Sequence, residues 1–192
     1  MEESRLSAFK QAYFGSAAAL CRIITTALCA LCLFLPFASF AVKIPMFSRS
    51  LTASLKGVYR IIAGGGISEL SEMGRSTLLS DMTEKAMLVY GVFLLLTLTV
   101  FTVIAFFIFS FHGVSTASRF MAVFSLGGAA LAAFLQAFIL IVSAFSRFPS
   151  FAGVNVGWGA AATCAALLLN GFINLRILKS LSLKESEVSG GD

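Results

Sequence analysis

Charge, histidine and amide side chains are scarce in this chain. Asp, Glu, Lys and Arg make up 12% of its 192 residues, against about a quarter in soluble domains. Among three asparagines (Asn155, Asn170 and Asn174) none opens an N-x-Ser/Thr acceptor, so glycosylation marks no side of a membrane. No module of interleaved aromatic and basic residues occurs. A nucleic-acid partner is therefore not expected, and the net charge of +5 reads as attraction to anionic lipid headgroups.

Catalytic groups are equally sparse. His112 is the one histidine, and Asp81 and Glu84 lie at the far end of the preceding apolar run. By helix rise that is about 40 Å away, whereas proton transfer needs partners within about 3 Å. No acid lies inside any expected span, which argues against ion coupling through buried carboxylates. Cys29 and Cys32 form a C-x-x-C, but with neither a βαβ pattern nor a second pair of ligands around it. Helix packing is its expected role. Gly64-Gly65-Gly66 lacks the following Lys-Ser/Thr of a phosphate loop. No enzyme activity, cofactor or metal is expected.

What the chain has in abundance is apolar length. Residues 86–111 hold no Asp, Glu, Lys, Arg, Asn, Gln or Pro. As a helix this run is roughly 39 Å long, enough to cross a hydrocarbon core of about 30 Å with some tilt. Three further runs, about 17–42, 120–145 and 157–178, are also mainly apolar, interrupted by Arg22 and Pro36 in the first, Gln136 in the second and Asn170, Asn174 and Arg176 in the third. The expected fold class is all-α: a polytopic membrane protein, one domain, a four-transmembrane-helix bundle. Ala38-Ser39-Phe40-Ala41 after Pro36 leaves open a cleaved signal, which an N-terminal stretch of more than 20 residues carrying two acids, and an apolar run longer than usual, oppose. The tail, 185–192, is expected to be disordered.

Between the first two spans, 43 residues (Lys43 to Lys85) carry six of the fourteen basic residues and four of the nine acids. At 100° per residue, Phe47, Leu51, Leu55, Val58 and Ile62 fall within an arc of about 80°, with Arg49, Lys56 and Arg60 opposite. That spacing predicts a basic amphipathic helix on the headgroups, within an interfacial segment 46–80. It offers Phe47, Leu51, Leu55, Arg49, Lys56 and Arg60 as contacts for lipid or a partner. Gly64 to Gly66 would end it, a weaker helical piece would follow, and Ser80, Asp81 and Glu84 look like the cap of the central span.

Inside the spans the polar candidates are Gln136, Asn170 and Asn174, as bonds between helices or as the lining of a path. Arg22 is expected to reach the headgroups from its span end, or to contact a lipid phosphate. Ser125, Ala129, Ala133 and Ala137, four apart, suggest close helix approach. Basic residues number seven on either side, so orientation rests on local features: Arg176, Lys179 and Lys184 after the last span favour cytoplasmic termini, the basic amphipathic segment favours the inverse, and cytoplasmic termini are the expectation.

Four spans with the longest connection after the first resemble the layout of tetraspan proteins such as claudins. The resemblance lies in spacing alone: residues 43–85 hold no Trp or Cys, so the claudin signature is absent and no function follows from it. The expected function is a non-enzymatic accessory or interaction subunit of a membrane assembly, with a membrane-protein partner or self-association. The alternative is a small transporter, channel or lipid-handling protein using the polar groups of spans two to four.

Overall fold

The computed structural model describes residues 17–44, 47–63, 80–110, 112–146 and 152–189. In chain order the elements are α1 (Ala17–Cys32), β1 (Ala38–Ile44), β2 (Phe47–Ala53), α2 (Leu55–Ala63), α3 (Ser80–Phe109), α4 (Val114–Phe145), β3 (Ala152–Val156) and α5 (Gly159–Ser189). They form two compact units. A helical unit draws on 17–30, 99–129 and 165–189, and a sheet unit on 31–63, 80–98, 130–146 and 152–164.

Among the described residues, three stretches are long and apolar enough to cross a membrane: Thr83–Phe109, Val114–Phe145 and Gly159–Ser182. α3 shows how a uniformly apolar sequence acquires two faces. Thr83, Ala86, Val89, Phe93, Leu96, Val100 and Val103 are buried at helical spacing. Leu94, Leu95, Leu98 and Phe101 stand 52–65% exposed on the other face. The helix begins at Ser80, ahead of the expected 86, with Asp81 in its first turn and a 2.7 Å bond from Lys85 Nζ to Asp81 Oδ2. α4 starts at Val114 instead of 120, and α5 continues through Ser189, beyond the expected end at 178 and into the segment expected to be disordered.

The first apolar run departs from expectation. It is not one rod over 17–42: α1 ends at Cys32, and Phe34 N–H and Leu35 N–H close short turns onto the carbonyls of Leu31 and Cys32. Pro36 has no N–H to continue a helix and biases Leu35 toward extended backbone. Past it the burial period becomes two: Ala38, Phe40 and Val42 are buried, whereas Ser39 and Ala41 are half-buried. That is a strand.

β1 is the centre of a three-stranded antiparallel sheet of order β2-β1-β3, so the fold is mostly helical and not all-α. Ala38 pairs with Ala53 on one side and Val156 on the other. β2 occupies most of what was expected to be the first half of an amphipathic helix, and helix begins only at Leu55. Ser48, Ser50 and Thr52 are poor helix formers that alternate with Phe47, Arg49 and Leu51, and β1 offers them a ladder. Ser54 then caps α2, its Oγ accepting from Gly57 N–H at 3.1 Å. Residues 45–46 and 64–79, including the three-glycine hinge and the weaker helical piece, lie outside the described residues.

Residues 36 and 37 tie the sheet unit together. Phe37 N–H donates to Ala53 O (2.9 Å), Gly157 N–H to Phe37 O (3.0 Å), and Gly159 N–H to Pro36 O (3.0 Å). The buried Phe37 ring meets Phe93 edge-on, centroids 4.8 Å apart. A Cβ at Gly157 would run into the Pro36 carbonyl, whereas one at Gly153 would meet nothing within 4 Å. Gly157→Ala should therefore cost about 1–3 kcal/mol, the usual range for overpacking, and Gly153→Ala far less. Unfolding of the purified variants in mixed detergent micelles measures the difference.

Candidate functional site

The helical unit contains a polar cluster built on α1, α4 and α5. On α1 the buried positions are Ala19, Arg22, Thr25, Thr26 and Cys29, a stripe at helical spacing whose middle is polar. Asn170 of α5 faces it, fully buried. Its Nδ2 donates to Thr25 Oγ1 (3.1 Å) and Thr26 Oγ1 (2.9 Å). Its Oδ1 accepts from Ser125 Oγ of α4 (3.0 Å) and from Asn174 Nδ2 one turn along α5 (3.0 Å). Both donors and both acceptor positions of the amide are in use. Thr25 Oγ1 in turn donates to the Cys21 carbonyl at 2.9 Å. One side chain thus joins three helices.

Arg22 lies a turn before Thr25 and Thr26 on the same face. The expectation that it reaches the headgroups is overturned: the residue is 1% exposed, enclosed by protein. Its Nη2 donates to Met121 Sδ at 2.6 Å, and its guanidinium carbon sits 5.7 Å from the centroid of the Phe107 ring. A thioether and an aromatic face are soft partners for a cation, and the ring's quadrupole attracts it. Placing an arginine at mid-helix in lipid costs about 2.5–3.5 kcal/mol on insertion scales, which enclosure by protein reduces.

Glycines let these helices close in. A Cβ at Gly171 would come 2.9 Å from Leu126, and one at Gly128 would come 2.9 Å from Thr99 and 3.1 Å from Leu167. The expected small-residue stripe is divided. Ser125 and Ala129 are buried, while Ala133 and Ala137 are exposed. Steps of four advance 400°, so the stripe drifts about 40° per step and about 120° over three steps.

The other predicted residues are not drawn into the cluster. Gln136 is half-buried in the sheet unit, and its Oε1 has no hydrogen-bond partner. Lys56 is exposed and Leu55 half-buried on α2. Arg60 is on α2, and Phe47, Arg49 and Leu51 are on β2; the side chains of these four lie outside the described set. His112 stacks on Phe109 in an exposed turn. Cys29 is buried and Cys32 partly so. Among the described residues no three of His, Cys, Asp and Glu gather as a metal site would require.

Thr25, Thr26, Ser125 and Met121 were not singled out as partners from sequence. The available signal was the i, i+3, i+4 spacing of Arg22, Thr25 and Thr26 on an otherwise apolar helix.

Comparison with protein-family models, with curated proteins and with solved structures finds no match to any of them. What the chain itself displays is its class. Three helices long and apolar enough to span a bilayer are the mark of a multi-pass membrane protein.

Asn170→Ala removes the bonds to α1 and α4 together. Interhelical bonds in bilayers average about 0.6 kcal/mol, and truncation adds a cavity, so a loss of about 2 kcal/mol or more is expected. Gln136→Leu should cost less than half as much. Denaturant titration in bicelles compares the two.

Proposed function

We propose that this chain is a non-enzymatic subunit of a membrane assembly: a four-span bundle in which α1 is the fourth crossing and α2 an amphipathic helix at the interface, with both termini cytoplasmic. The observation that carries this reading is the use of Asn170. In a pore or substrate pocket, amide groups are left open to what passes. Here the amide is saturated by Thr25, Thr26, Ser125 and Asn174, so its role is to hold helices in place.

Support also comes from the outside of α4. Ala130, Ala133 and Ala137 are exposed beside Phe134, which is 57% exposed. Small side chains around an aromatic let another helix backbone approach closely and give the ring a place to insert. A partner helix, from another membrane protein or a second copy, fits that face. On α2, Lys56 and Tyr59 are exposed, as headgroup contacts would be.

The alternative, a small transporter, channel or lipid-handling protein, draws on Asn174 Oδ1 and Gln136 Oε1, buried acceptors with no hydrogen-bond partner. Two measurements separate the readings. Ala133→Leu with Ala137→Leu should reduce co-purification of the partner, or self-association, by about tenfold, the effect of roughly 1.4 kcal/mol. Gln136→Leu should leave flux across reconstituted vesicles unchanged. A lone monomer on gentle extraction from native membranes, or flux abolished by Gln136→Leu, would overturn the subunit reading.

A further inference from the structure

We propose that α5 carries a groove for one anionic phospholipid, with the phosphate held by Arg176 and Lys179 and an acyl chain lying along Leu169, Phe172 and Leu175. The proposal rests on the bilayer placement of α5 and is independent of the subunit reading.

A cavity of about 450 Å³ runs along this helix, lined by Leu169, Phe172, Ile173, Leu175, Arg176 and Lys179. That volume falls within the roughly 300–1,000 Å³ of small-molecule sites. The lining changes character along its length. Leu169, Phe172 and Leu175 are 42–58% exposed apolar side chains at one end, with exposed Arg176 and Lys179 at the other. Arg176 and Lys179 are three residues apart and so share a face. A guanidinium grips phosphate with paired N–H donors, and the ammonium adds a point charge beside it. No acid intervenes, since the first on α5 is Glu185.

Depth matches the same ligand. Trp158, 63% exposed, precedes α5, where an interfacial anchor belongs. Counting helix rise from it, Arg176 and Lys179 lie about 27 and 32 Å away, close to the roughly 30 Å of hydrocarbon, and Leu169 about 16 Å away, near mid-bilayer. The basic pair therefore stands at the opposite headgroup layer with the apolar wall beneath it. Inorganic phosphate would use only the rim and leave that wall unfilled. A lipid uses both.

Replacing Trp158→Phe and Phe172→Trp leaves the groove with the only tryptophan in the full chain. Its fluorescence is read in vesicles containing brominated-chain phosphatidylglycerol or, at equal mole fraction, brominated phosphatidylcholine. The expected result is stronger quenching by phosphatidylglycerol, with a relative association constant on the order of tenfold, as two basic residues near the surface can supply. Arg176→Gln with Lys179→Gln should bring the ratio to about one, and added inorganic phosphate should not compete. Equal quenching by the two lipids would reduce the groove to ordinary lipid contact and overturn the proposal. So would a preference that survives loss of both basic residues, or a tryptophan shielded from both lipids in a dimer. If the double Gln variant does not reconstitute, the two-lipid comparison on the parent decides.

Discussion

Water cannot be the solvent for the faces this chain turns outward. Leu98, Val123 and Phe145 are 65%, 68% and 81% exposed on helices with hardly a charge along their middles. Each such side chain forgoes about 1.5–3 kcal/mol of burial if left in water, and α3, α4 and α5 carry many of them. Lipid removes that cost, and it imposes a second condition: backbone polar groups within the hydrocarbon need partners in the same segment. Long helices meet it; a three-stranded sheet with two open edges does not. The strands β1, β2 and β3 therefore belong outside the hydrocarbon, which matches Pro36 before β1 and Gly157 and the exposed Trp158 just beyond β3.

Within the helices, polarity is confined to a few positions and placed inward. Asn170 turns three helices into one hydrogen-bonded unit, and Gly128 and Gly171 let α4 and α5 approach closely enough for those short side chains to meet. Arg22 extends the polar stripe of α1 by a turn and takes Met121 and Phe107 as neighbours. In the sheet unit the corresponding junction is made of backbone: Pro36 and Phe37 accept from Gly159 and Gly157, and a larger residue at Gly157 would have no room.

How legible this was from the residues depended on how long each pattern ran. The central span announced itself because 26 residues without a charge or amide admit few other environments, and the structure changes only where that helix begins and ends. The first run misled because an apolar stretch looks alike whether it is buried as helix or as strand. Only Pro36, and the alternation of Ala38, Phe40 and Val42 after it, distinguishes the two. Phe47 to Ile62 satisfied a helical arc, yet its first seven residues also satisfy a period of two, and pairing with β1 decided between them. The place of Arg22 in the sequence points to a span end, whereas its place on the helix sets it in the buried stripe. Asn170 and Asn174 stand out as polar groups one turn apart within a span, but the other partners of Asn170 come from helices about 45 and 145 positions away, a separation that no local pattern encodes.

The central claim is that the outward apolar faces of α3, α4 and α5 are in contact with lipid. Spin labels at positions 98, 123 and 169, attached through introduced cysteines in the reconstituted protein, test it by power saturation with oxygen and with a water-soluble nickel chelate. High oxygen and negligible nickel accessibility at all three, with the reverse at position 56 on α2, is the result predicted. Nickel accessibility at 98, 123 or 169 equal to that at 56 would contradict it.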